Sequence, residues 1–117
     1  MTLVDIIEPD SISFKDARVT RGEAISFYIK QNIDVNNALQ VIINDLKQFM
    51  SKATGKLYTH SRESYSNSYR ISEPGRISYG VKVSADNLQI TIQAIAILED
   101  ITLLKRYYQR IKKLTET

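Results

Sequence analysis

The stretch RISYGVKVSADNLQITIQAIA, residues 76–96, carries the period that decides the fold. Ile77, Tyr79, Val81 and Val83 alternate with Arg76, Ser78, Gly80 and Lys82, so a strand here sends apolar side chains one way and polar ones the other. Ser84-Ala85-Asp86-Asn87 supplies turn residues. Leu88, Ile90, Ile92, Ala94 and Ala96 then alternate with Gln89, Thr91 and Gln93, which predicts a β-hairpin. Tyr69 and Ile71 mark another short strand, set off by a Pro74-Gly75 turn.

Towards the N-terminus the period becomes helical. Asp34 is placed to cap a helix whose apolar positions Val35, Leu39, Ile42, Leu46 and Phe49 alternate steps of four and three. Gly55 is its expected stop, because glycine enters the left-handed conformation at little cost. Thr20-Arg21-Gly22-Glu23 reads as the capping box of an earlier helix with Ile25, Tyr28 and Ile29 on one face. The two would form an antiparallel hairpin. Before them, residues 3–7 (LVDII) predict a strand ended by Pro9 and Asp10, and Ile12 to Phe14 a second. After the β-hairpin, Glu99 and Asp100 at one end and Lys112 and Lys113 at the other suit a helix dipole, with Ile101, Leu104, Tyr108 and Ile111 as the buried stripe. The expected fold is α+β: a helical hairpin packed on an antiparallel sheet of three to four strands, followed by a C-terminal helix.

A chain of 117 residues, 43% apolar and 25% charged, is the size of one domain with its own core, residues 1–117. It holds no cysteine, which excludes disulfides and thiolate zinc sites and fits a reducing compartment. No apolar run approaches the roughly 18 residues of a bilayer span. The first ten residues, MTLVDIIEPD, carry acids where an export signal needs bases. A cytoplasmic location without a membrane partner is the expectation.

Net charge is +3, and its distribution says more than its size. Five of the sixteen Lys and Arg residues lie between Lys105 and Lys113, and most others between Lys52 and Lys82. If Tyr69, Ile71, Ile77, Tyr79, Val81 and Val83 face the helices, then Arg70, Ser72, Arg76, Ser78 and Lys82 face away, joined by Gln89, Thr91 and Gln93. That face would hold three cations among hydrogen-bonding groups and no acid. It suits a phosphodiester backbone, with Tyr58 and Tyr65 available for stacking. It equally suits the ordinary solvated face of an antiparallel sheet. His60, the sole histidine, has a pKa suited to proton transfer, yet lies in a polar stretch where a plain surface role serves as well. No second histidine or carboxylate cluster accompanies it, so no metal site is expected. No Gly-rich phosphate loop or nucleophile motif is present, and no cofactor is expected. On the last helix Tyr108 fits the apolar stripe, which leaves Tyr107 exposed beside Lys105, Arg106 and Arg110.

The segment YRISEPGRISYGV, residues 69–81, resembles the central strands of the RelE/ParE toxin superfamily, where a YRI-like strand, a glycine turn and an RxxY strand follow one another. LQITIQAIAI is similar to the next strand, and LKRYYQRIKKL to the basic C-terminal helix of the HigB-like branch. The resemblance implies a metal-free, ribosome-dependent mRNA endonuclease held in check by an antitoxin protein, using the ribose 2′-hydroxyl as nucleophile. It implies Arg76 as the arginine that stabilises charge on the reacting phosphate, Arg70 as the neighbouring basic position, and Tyr107 as a further catalytic group. Lys82, Tyr58, His60, Arg62, Arg106 and Arg110 are the accompanying RNA-binding candidates. One departure stands out: Leu98-Glu99-Asp100 occupies the place where nuclease members carry a base or histidine. A chain lacking that group would be a weak nuclease, would act on another target as the gyrase-poisoning branch does, or would fall outside the family. Two further readings stay open, an inactive binding module of the same fold and a non-enzymatic phage or mobile-element assembly protein that self-associates. The seven tyrosines suit protein contacts as well as RNA.

Overall fold

A computed structural model describes residues 1–15, 24–63, 67–75, 80–95 and 98–116, with the backbone alone for 95 and 98–101. The chain is α+β. Its elements are helix α1 (Leu3–Ile6), a 3-10 turn (Pro9–Ser11), β1 (Ser13–Lys15), β2 (Ala24–Tyr28), α2 (Val35–Thr54), β3 (Thr59–Arg62), β4 (Ser68–Ser72), β5 (Gly80–Asp86), β6 (Gln89–Ile95) and α3 (Leu98–Thr115). The six strands form one sheet in the order β1-β2-β6-β5-β4-β3. All five pairings are antiparallel. The helices share one face of it, where Ile25, Phe27, Ile71, Val81, Val83, Ile90, Ile92 and Ala94 meet Ile42, Ile43, Leu46 and Met50 of α2 and Leu104, Tyr107 and Ile111 of α3 in a single core.

The expected helical hairpin is replaced by a strand and one helix. Residues 24–28 (AISFY) pair along β6, with Ile25 opposite Ile92 and Phe27 opposite Ile90. Burial alternates accordingly: Ile25, Phe27 and Ile29 are buried and Tyr28 is exposed. The segment fits both periods, and its β-branched and aromatic side chains favour the pleated surface. The Thr20–Glu23 cap lies outside the described residues. Residues 3–7 also differ from expectation. Thr2 donates its backbone N–H to Asp5 Oδ2 at 2.9 Å and its hydroxyl to the same oxygen at 3.0 Å. That closes one helical turn, from which Leu3 and Ile6 enter the core. The sheet is wider than three to four strands because β1, β2 and β3 join it.

Helix α2 forms where the sequence places it. The Asp34 carboxylate accepts the Asn37 N–H at 3.2 Å, and Gly55 ends the helix at φ 72° with its N–H on the Ser51 carbonyl. Asp34→Ala removes that acceptor and is expected to destabilise the fold by about 1 kcal/mol, lowering the melting temperature by roughly 3–6 °C. Thermal unfolding followed by circular dichroism checks this, and Asp34→Asn should restore most of the loss.

The β5–β6 hairpin runs further than expected. Ser84, Ala85 and Asp86 still pair with Thr91, Ile90 and Gln89, which leaves Asn87 and Leu88 as a two-residue turn. Asn87 takes the positive φ of 55° such a turn requires. On α3 the buried stripe is Leu103, Leu104, Tyr107 and Ile111, while Tyr108 is half-buried. Tyr107 satisfies the three-four spacing between Leu104 and Ile111 as well as Tyr108 does, and it also stacks one turn from Leu103.

Candidate nucleic-acid interface

The face of the sheet away from the helices carries two cross-strand rows. Strand register sets Ser61, Arg70, Lys82, Gln93, Ala24 and Lys15 abreast on β3, β4, β5, β6, β2 and β1. Beside them run Ser68, Ser84, Thr91, Ser26 and Ser13, of which Ser68 is buried and the other four are accessible. Gln89 ties the second row together by donating Nε2–H to Ser26 Oγ at 2.9 Å. The expected orientation of Arg70 and Lys82 therefore holds, as does that of Gln89, Thr91 and Gln93.

The expectation of no acid on this face does not. Glu63 follows β3, and its N–H continues the ladder onto the Ser68 carbonyl at 2.9 Å. Its carboxylate lies between the two cations. Oε1 accepts from Arg70 Nε and Nη2, both at 3.0 Å, and Oε2 stands 3.8 Å from Lys82 Nζ. Partly exposed ion pairs of this kind contribute about 1 kcal/mol or less. Glu63 thus neutralises one of two charges with an attachment weak enough for a phosphate to displace.

The other candidates lie elsewhere. Register places His60 opposite Ile71 and Arg62 opposite Tyr69, on the helix side of edge strand β3. His60 Nδ1 is 2.9 Å from Lys47 Nζ of α2, and its ring meets Tyr69 edge-on with centroids 6.1 Å apart. Partial burial lowers its pKa below 6.5, and the Lys47 charge lowers it further, so the neutral imidazole accepts from the ammonium. Tyr58 is only 8% exposed and belongs to the core, which removes it as a stacking platform. Tyr65 and Arg76 lie outside the described residues.

Tyr107 is the plain correction. It is 1% exposed, packs against Phe49 at 5.3 Å and donates its hydroxyl to Asp45 Oδ2 at 2.8 Å. Burial, followed by the Asp45 charge and hydrogen bond, raises its pKa well above 10. The expected exposure of Tyr107 is thus overturned: the phenol is buried, protonated and committed to a carboxylate. Arg110 binds Asp45 Oδ1 at 3.1 Å, and Arg106 lies 5.8 Å over the Phe49 ring. Both remain on the exposed flank of α3 with Lys112 and Lys113, away from the open sheet face.

Sequence reasoning missed Glu63, Lys47 and Asp45. Glu63 carried a readable signal: extending β3 by alternation from Thr59 and Ser61 puts it on the open face. Asp45 and Lys47 are polar positions on α2 whose partners are distant in sequence. No group of three or more His, Asp or Glu among the described residues is arranged to hold a metal. No described helix is long and apolar enough to cross a membrane. Set beside known proteins, the chain matches no family model, no curated protein and no solved structure.

Proposed function

We propose that this chain is an RNA-binding domain of RelE/ParE-like type that lays a single strand across the open face of its sheet. The observation that carries the reading is the row of Arg70, Lys82 and Gln93 abreast on adjacent strands, flanked by the accessible hydroxyls of Ser84, Thr91, Ser26 and Ser13 and covered by none of the described helices. Guanidinium and ammonium take phosphate oxygens, while glutamine and the hydroxyls offer donors and acceptors to bases and ribose. Binding exchanges the Glu63 carboxylate for phosphate, so the ligand meets both cations at once. With Tyr107 buried, a nuclease mechanism rests on Arg76 and Arg70.

Anisotropy of a fluorescent 12-nucleotide RNA at several salt concentrations tests the interface. Arg70→Ala with Lys82→Ala is expected to weaken binding about tenfold and to reduce the salt slope by about 1.4, the value for two phosphate contacts on a single strand. Glu63→Gln should tighten it several-fold. Unchanged affinity in the double variant would sink the reading. Cleavage is checked separately by induced expression in a bacterial host with mRNA integrity followed over time, where Arg76→Ala should abolish any cutting.

The self-assembly reading draws on a different feature. Strands β1 and β3 end the sheet without a partner strand among the described residues, and a free edge is a template for pairing. Light scattering of the purified chain separates the two: a monomer that binds RNA excludes assembly through these edges.

A further inference from the structure

We propose that Lys47, His60 and Arg62 form a phosphate-binding site at the β3 edge, on the opposite side of the sheet from Arg70 and Lys82. It stands independently of the open-face reading, since it uses other residues and a small anion suffices to test it.

Two cations without a carboxylate among the described residues lie there. Arg70, Lys82, Lys56 and Arg110 each face a carboxylate. Lys47 has none within 4 Å among the described residues, and neither does Arg62. Among the described residues, the one polar partner of Lys47 is the imidazole of His60 at 2.9 Å. An ammonium has three donors, and a neutral imidazole satisfies one without cancelling the charge. Lys47 is half-buried, so this charge is partly desolvated and favours an anion more strongly than a freely hydrated lysine would.

The chemistry of the three groups converges. Because Nδ1 of His60 accepts from Lys47, the ring proton sits on Nε2 as a further donor. Arg62 lies two residues along the same strand on the same side, about 7 Å away by strand geometry, within reach of its long side chain. Ammonium, imidazole N–H and guanidinium together offer only donors. An oxyanion with several acceptor oxygens matches them, and a cation does not. Among the described residues, the groups facing His60 are Lys47 from α2 and Tyr69 from β4, with Arg62 two places along its own strand. None of these is an acid. An incoming phosphate would supply the missing negative charge and make the imidazolium favourable.

His60 is the sole histidine, so its ring protons give a single unambiguous NMR titration. The experiment titrates the full chain in chloride and in inorganic phosphate at equal ionic strength. Phosphate is expected to raise the His60 pKa by about 0.5–1 unit, equivalent to about three- to tenfold tighter phosphate binding by the protonated form. Arg62→Gln, which alters an exposed side chain, should remove most of that rise. Lys47→Gln should remove it too and lift the phosphate-free pKa towards 6.5. A third arm replaces phosphate with the 12-nucleotide RNA. A shift with inorganic phosphate assigns the site to small phosphates. A shift with RNA alone assigns it to the phosphodiester of a bound strand. No shift with either, or a shift that survives Arg62→Gln and Lys47→Gln undiminished, overturns the proposal.

Discussion

Gly80→Ala is expected to be the most damaging single-atom change in the described chain, removing about 3–5 kcal/mol of a total that for a domain of this size is about 5–15 kcal/mol. Gly80 opens β5 at φ 126°, a conformation that residues with a side chain rarely adopt. A Cβ built there runs into the carbonyl oxygen of Ile71 and lies 3.0 Å from Ser72 Cβ. The obstacle is backbone, and it has little room to move. Ile71 is fully buried and paired with Val81 next in line, so a shift of its carbonyl would pull on the centre of the sheet. Gly75 provides the control, because it also has a positive φ, 83°, but nothing stands within 4 Å of its would-be Cβ. Gly75→Ala should therefore lose only the backbone term, about 1 kcal/mol. Urea denaturation of both variants decides the matter. Equal losses would mean that the close approach at Gly80 contributes nothing.

The same glycine marks how far the sequence could be read. In RISYGVKV it sits on the polar side of an alternation, where it looks like one small residue among serines, although a glycine inside a strand often signals a close backbone approach. Helix α2 was legible at both ends because Asp34 and Gly55 act through their own stereochemistry. The β5–β6 hairpin was legible because its period is strict over both strands. By contrast, residues 24–28 satisfy two periods at once, and only the partner strand β6 decides between them. Strand β3 was invisible because it is an edge of four polar residues, Thr59 to Arg62, with no apolar alternation to announce it. Missing β3 hid the two features that matter most for the site. One is the Glu63 carboxylate between Arg70 and Lys82, and the other is the turn of His60 towards Lys47. Direction along a strand follows from a single sequence; what faces a side chain from two strands away does not.

Tyr107 carries the second large effect, and it separates a structural tyrosine from a catalytic one. Tyr107→Ala is expected to destabilise the protein by about 3–5 kcal/mol, because it deletes a fully buried ring packed on Phe49. Tyr107→Phe keeps the ring and removes only the hydroxyl that donates to Asp45. Asp45 keeps Arg110 and is partly exposed, so water replaces the lost donor and the loss should be about 1 kcal/mol. The difference between wild type and Tyr107→Phe depends on pH with a fixed sign. The folded pKa is raised above the unfolded value of 10, so the contribution of the hydroxyl is complete below pH 10 and fades as pH rises towards the folded value. Denaturation at pH 8 and pH 10.5 should show the gap narrowing. RNA affinity of Tyr107→Phe, measured well below its melting temperature, should stay within about twofold of wild type, because the side chain lies beneath the helices and away from the open face. If instead Tyr107→Phe leaves stability untouched and abolishes RNA cleavage or binding, the phenol reaches the ligand and the buried hydrogen bond to Asp45 is not its role.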